Sequence, residues 1–163
     1  MEEFKGQSIL NFIKELPNGQ EDFFKELQKF ITGLYQKASE KNARYFLDKT
    51  PRNHLVIDDI FQIFPDGKFI FLWRNPLSVV ASMLLTTEPK GRWNLFFYRI
   101  DLYKGFDNLI HALEQNMDKS ISVRYEDLID ESERTLIKTL DYMGLDYSEH
   151  LLKSFSKTKF KGS

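Results

Sequence analysis

The 163-residue chain is 42% hydrophobic and 29% charged, with only 8 Gly and 5 Pro, which suits one folded domain over residues 1–163 and not a disordered segment. A formal net charge of −1 argues against sequence-independent nucleic-acid binding, which needs a basic excess to displace counterions. With no cysteine there are no disulfides, thiolate metal sites or cysteine nucleophiles; with no 18-residue apolar run or leader pattern, the expectation is a cytoplasmic protein without a membrane partner.

Ile9, Leu10, Phe12, Ile13 and Leu16 recur at helical spacing, and Pro17-Asn18-Gly19 ends that helix. Phe23, Leu27, Phe30, Ile31 and Leu34 mark one face of a second, longer helix. Tyr45-Phe46-Leu47 is an apolar run of strand type, ended by Asp48-Lys49-Thr50-Pro51. A helix is expected from about His54 to Phe64, closed by the turn Pro65-Asp66-Gly67-Lys68. Phe69-Ile70-Phe71-Leu72-Trp73 shows no alternation, the pattern of a strand buried on both faces of a parallel sheet.

Asn75-Pro76 reads as an N-cap followed by proline at the first helical position, opening a helix through about Leu85. After a loop from Thr86 to Gly91, a long amphipathic helix is expected from Arg92 to Gln115. Ser120-Ile121-Ser122-Val123 forms the third strand. Asp130 is placed to cap a helix that runs to Met143 and stops at Gly144, and a short helix follows from about Ser148 to Phe155. Strands alternating with helices give an α/β fold around a parallel sheet.

Chemistry concentrates at Trp73-Arg74-Asn75-Pro76. Arg74 follows a buried strand at its carboxyl end, where open α/β sheets bind ligands, and Ser82 lies eight residues further on, inside the next helix. A guanidinium and a hydroxyl beside a helix start suit a phosphate clamp. The same spacing also fits a surface ion pair and a solvent-facing serine. Likewise Asp48 reads either as a reactive carboxylate or as a cap for the next helix. His54, His111 and His150 have no metal-ligand spacing and read as helix residues.

Arg74-Asn75-Pro76 with its small-apolar helix to Ser82 resembles the 3'-phosphate motif of sulfotransferases that use 3'-phosphoadenosine 5'-phosphosulfate. Two further segments share that resemblance. Phe46-Leu47-Asp48-Lys49-Thr50-Pro51-Arg52 is similar to the acid-Lys-Thr/Ser-Pro segment of the bacterial and carbohydrate branches. Val123-Arg124-Tyr125-Glu126-Asp127-Leu128 is similar to the Arg-Tyr-Glu-Asp-Leu signature that follows the donor-binding helix.

The resemblance implies a three-layer P-loop-like fold, a parallel sheet flanked by helices, and sulfuryl transfer to a hydroxyl of a small molecule or carbohydrate, without a metal. It implies Asp48 as general base and Lys49 as a charge stabiliser or substrate-orienting group. Arg74 and Ser82 would hold the donor's 3'-phosphate. Tyr125 would lie near its adenine, with the acidic pair Glu126-Asp127 helping to hold the loops around it, and Arg124 would contact the same donor. Lys161 and Gly162 resemble the start of a C-terminal Lys-Gly loop that touches the same phosphate. Trp93, Tyr98 and Arg99 fall where acceptor contacts are expected, though core or rim packing suits the aromatics better.

The sequence departs from the family at one place. Family members open with a strand and an Arg-Ser-Gly-Thr-Thr loop whose backbone N–H groups cradle the 5'-phosphosulfate, and these 163 residues contain no such segment. The expected fold is therefore incomplete. A hydrophobic sheet edge should lie open, inviting a homo-oligomer contact or a completing chain. A piece of a larger enzyme, a truncated frame, a subunit and an inactive relic all fit, and a P-loop-like nucleotide-binding or non-catalytic module completed by a partner is the alternative function.

Overall fold

A computed structural model describes residues 2–40, 42–87 and 96–155. It forms two compact units, Met1–Gly67 and Lys68–Ser163.

The first unit is helical. Helix α1 (Glu2–Lys14) and helix α2 (Gln20–Ala38) are separated by Pro17-Asn18-Gly19, as the breaker residues predict. Gly19 has φ 57°, a left-handed conformation that glycine adopts without a Cβ clash. The backbone N–H and side-chain amide of Asn18 both donate to Asp22, fixing the start of α2. After α2 the chain is irregular until a 3-10 turn at Asn53–Leu55 and helix α3 (Ile57–Ile63). Ile13, Phe24, Ile57, Phe61 and Ile63 are its buried apolar side chains.

Two expectations fail in this unit. Tyr45-Phe46-Leu47 is not a strand: among the described residues no neighbour supplies a ladder, and Phe46 instead stacks its ring on Tyr35 of α2 at 4.1 Å. The helix from His54 to Phe64 is broken at Val56, a β-branched residue with φ −129° and ψ 25°.

The second unit is α/β. Strands β1 (Phe69–Trp73) and β2 (Ser120–Arg124) pair in parallel, with Phe69 opposite Ser120 and Trp73 opposite Arg124. Between them run helix α4 (Pro76–Thr87), a 3-10 turn at Phe96–Tyr98, a π-helical segment at Ile100–Gly105 and helix α5 (Phe106–Gln115). The long helix expected from Arg92 is thus not continuous where it is described. Its start is rich in aromatic residues and Gly105 lies within it, all weak helix formers that let the regular ladder widen.

Helices α6 (Tyr125–Asp130), α7 (Ser132–Met143) and α8 (Glu149–Phe155) complete the unit. Asp130 does not cap α7; it is the last residue of α6, because Arg-Tyr-Glu-Asp-Leu winds directly into a helical turn of its own. Gly144 does stop α7, at φ 68°, with its N–H on the Asp141 carbonyl and the Leu145 N–H on the Leu140 carbonyl. The Tyr142 hydroxyl ties the strand starts together, accepting from the Phe69 N–H at 3.1 Å and donating to the Lys119 carbonyl.

Phe71, Ala112, Ile121 and Val123 are buried in this unit. The strand expected to be buried on both faces is buried on one. Phe71 is 5% exposed, yet Ile70 and Leu72 on the opposite face are 40% and 57% exposed, beside buried Ile121 and Val123. Cover over that face reaches β2 and stops short of β1 among the described residues.

Candidate functional site

In the second unit, sheet register creates the site. Trp73 and Arg124 are the last paired residues, so Arg74 and Tyr125 emerge side by side at the carboxyl ends of the strands. Trp73 is anchored first: its indole N–H donates to the Ser122 hydroxyl at 3.2 Å, and its ring meets Phe106 edge-on. One residue later the Arg74 guanidinium lies 4.7 Å from the centre of the Tyr125 ring. A cation over a ring face is attracted by the ring's quadrupole, and a guanidinium is the group that pairs bidentately with phosphate oxygens.

The turn behind Arg74 is held on two sides. Asn75 caps α4, its side-chain oxygen accepting from the Leu77 N–H at 2.9 Å, with Pro76 at the first helical position as the sequence predicts. The Asn75 N–H in turn donates to the Glu126 carboxylate at 2.8 Å. This bond ties the Arg-Asn-Pro turn to the Arg-Tyr-Glu-Asp segment, 51 residues on. That N–H, a second bond from the backbone N–H of Glu126 itself, and the Arg124 and Arg74 cations hold the Glu126 carboxyl below its usual value. Arg124 makes an exposed ion pair with Asp127 at 3.7 Å, a contact worth about 0–1 kcal/mol.

Of the residues expected to bind the donor, Arg74, Tyr125 and Arg124 converge at this strand end. Ser82 is exposed on α4, two turns beyond the cap. Lys161, Gly162 and Trp93 lie outside the described residues. Arg99 packs over the Phe96 ring at 3.9 Å. The family signature led to the expectation that Glu126 helps hold the loops here; its particular partner, the Asn75 N–H 51 residues back, has no counterpart in local spacing.

In the first unit, Asp48 and Lys49 are exposed on the irregular run after α2. Thr50-Pro51-Arg52-Asn53 forms a turn, with Pro51 at its second position and the Asn53 N–H on the Thr50 carbonyl at 3.1 Å. Asp48 does not cap a helix: one carboxylate oxygen accepts from the Thr50 hydroxyl at 2.7 Å and the other from the Tyr35 hydroxyl. Burial, and then the Asp48 carboxylate, push the Tyr35 phenol up to about 12. Tyr35 was not among the expected site residues. Its position on the apolar face of α2 marks it as a packing aromatic, and nothing in the local pattern connects it with Asp48.

Chemically, the second unit offers a guanidinium over an aromatic ring at a helix start, suited to a phosphate attached to a planar group. The first offers a carboxylate ordered by two donors next to a lysine. Among the described residues no group of three or more His, Asp or Glu is disposed to hold a metal ion, and no helix is long and apolar enough to cross a membrane.

Comparison with known proteins agrees on one family. The sequence profile described as the sulfotransferase family matches residues 11–149. A putative protein-tyrosine sulfotransferase of Caenorhabditis elegans is 25% identical over 138 residues, covering 82% of this chain and 52% of that protein. Protein-tyrosine sulfotransferase 2 of Gallus gallus is 26% identical over 131 residues, covering 77% of this chain and 35% of its own length. Among solved structures, the sulfotransferase domain from the curacin biosynthetic pathway superposes with a TM-score of 0.64 at 22% identity, over 83% of this chain and 48% of that one. That likeness shows the fold, α/β with a parallel sheet between helices. The chain spans about half the length of the nematode protein and of this structural neighbour, and less of the other relative.

Proposed function

This chain belongs to the sulfotransferase family, and from that premise we propose that it serves sulfuryl transfer from 3'-phosphoadenosine 5'-phosphosulfate to an acceptor hydroxyl. The observation that carries the reading is Arg74, its guanidinium over the Tyr125 ring at the carboxyl end of β1 beside the capped start of α4. A guanidinium so placed suits the donor's 3'-phosphate, and the neighbouring ring suits its adenine. Ser82 and Arg124 are assigned to the same donor, as are Lys161 and Gly162 of the C-terminal segment.

In this reading Asp48 accepts the proton of the acceptor hydroxyl as its oxygen bonds to sulfur. The bond from sulfur to the bridging phosphate oxygen breaks, and 3'-phosphoadenosine 5'-phosphate leaves. Lys49 meets the negative charge that grows on the departing phosphate. The acceptor is a hydroxyl of a small molecule or carbohydrate, and the relatives named for protein tyrosine support adding a phenolic hydroxyl to that class. The coverage of about half a relative, with Ile70 and Leu72 exposed on one face of β1, supports cover of that face by further polypeptide.

Substitution of the base tests the assignment. In a polypeptide that contains this chain and turns over, Asp48→Asn is expected to keep donor affinity and lose about 10²- to 10⁴-fold in kcat, the usual worth of a general base. Undiminished turnover would remove Asp48 from that role.

A further inference from the structure

We propose that Tyr35 is a positioning residue for Asp48, fixing through its hydroxyl the orientation in which the carboxylate meets an acceptor. The proposal rests on the reading of Asp48 as the base. It starts from an oddity: Asp48 is exposed on an irregular segment, where a carboxylate ordinarily samples several rotamers, yet both its oxygens are engaged. Thr50 reaches one oxygen from two residues along the chain, and Tyr35 reaches the other from α2, across 13 residues.

The Tyr35 ring cannot swing freely to follow the carboxylate. It stacks on Phe46 at 4.1 Å and lies parallel to Phe64 at 6.1 Å, with an interplanar angle of 13° in both cases. Two aromatic rings, Phe46 from the irregular run and Phe64 at the end of α3, therefore set the plane of the phenol. A phenol that titrates only near 12 stays a donor throughout the neutral range, so it holds the carboxylate without competing for the proton.

One donor on each oxygen leaves each with a further lone-pair position, which is what a base needs to accept from a substrate hydroxyl. Geometry comes first for such a group: a small misplacement of the reacting atoms costs rate and leaves ground-state binding alone. This arrangement also gives a role to Phe46, whose apolar run forms no strand. Its ring supports the one that holds Asp48.

The closing experiment combines a spectroscopic and a kinetic arm, using Tyr35→Phe because it keeps the ring and its stacking. With aspartate labelled at the side-chain carboxyl carbon, the Asp48 resonance is assigned by its loss in Asp48→Asn. The proposal expects Tyr35→Phe to shift that resonance at neutral pH, and Asp48→Asn to lower the titration midpoint of the Tyr35 ring carbon. In a polypeptide that turns over, Tyr35→Phe should lower kcat about 10-fold, the effect of one lost hydrogen bond, with KM unchanged.

An Asp48 resonance indifferent to Tyr35→Phe overturns the proposal without touching the base assignment, as does full kcat in Tyr35→Phe where Asp48→Asn is inactive. Full activity in Asp48→Asn overturns both. Equal losses in kcat and stability, with the Asp48 resonance unmoved, would reduce Tyr35 to a packing residue and also count against the proposal.

Discussion

Arg74 stands where main-chain geometry leaves little choice, whereas Asp48 is held by side chains that reach it from elsewhere in the chain. In the second unit, five residue pairs in parallel register deliver Arg74 and Tyr125 to the same strand end, and a capped helix turns the chain away behind them. In the first unit no ladder runs beside Tyr45-Phe46-Leu47, and the carboxylate depends on Tyr35 and Thr50. A site at the end of a strand inherits its precision from the sheet. A site on an irregular segment needs partners of its own.

The comparison breaks most readily at the sheet. Phe71 is the most buried side chain of β1, and Phe71→Ala should cost about 3–5 kcal/mol, the usual penalty for emptying a large aromatic site. Chemical denaturation of the variant should register that loss, together with loss of nucleotide binding at Arg74. A cost under about 1 kcal/mol would mean the sheet is not what places Arg74.

A smaller effect sharpens the same contrast through the clamp between the strand ends. Because the folded protein holds the Glu126 carboxyl below its ordinary value near 4.5, its bond to the Asn75 N–H contributes fully above that value. The contribution is lost as pH falls through the lower, folded-state value. The Asn75 amide resonance should therefore move in acid with a midpoint below 4.5, and Glu126→Gln should abolish the movement. A midpoint at or above the ordinary value would place the carboxyl elsewhere.

What was legible in the sequence follows the same division. Phe69–Trp73, the Asn75 cap, Pro76 and the Gly144 stop are governed by neighbours along the chain, and each is found where its local signal puts it. The family resemblance rested on the segments around Arg74, Asp48 and Tyr125, and the matched profile over residues 11–149 agrees with it. Local signal failed where distant contacts decide. Tyr45-Phe46-Leu47 has strand character and no strand beside it among the described residues; Asp130 is a separate case, a cap by type that the preceding segment takes up as the last residue of α6. The partners that organise both site regions, Tyr35 for Asp48 and Glu126 for Asn75, lie 13 and 51 residues away and leave no periodic trace.

The most direct test of the donor site is calorimetric titration of this chain with 3'-phosphoadenosine 5'-phosphate, using adenosine 5'-monophosphate as control. Clear preference for the bisphosphate, weakened about 10- to 100-fold in Arg74→Ala as befits the loss of a charged hydrogen-bonding partner, is the predicted result. Equal binding of the two nucleotides, or a preference that survives Arg74→Ala, would contradict the assignment of the 3'-phosphate to this strand end.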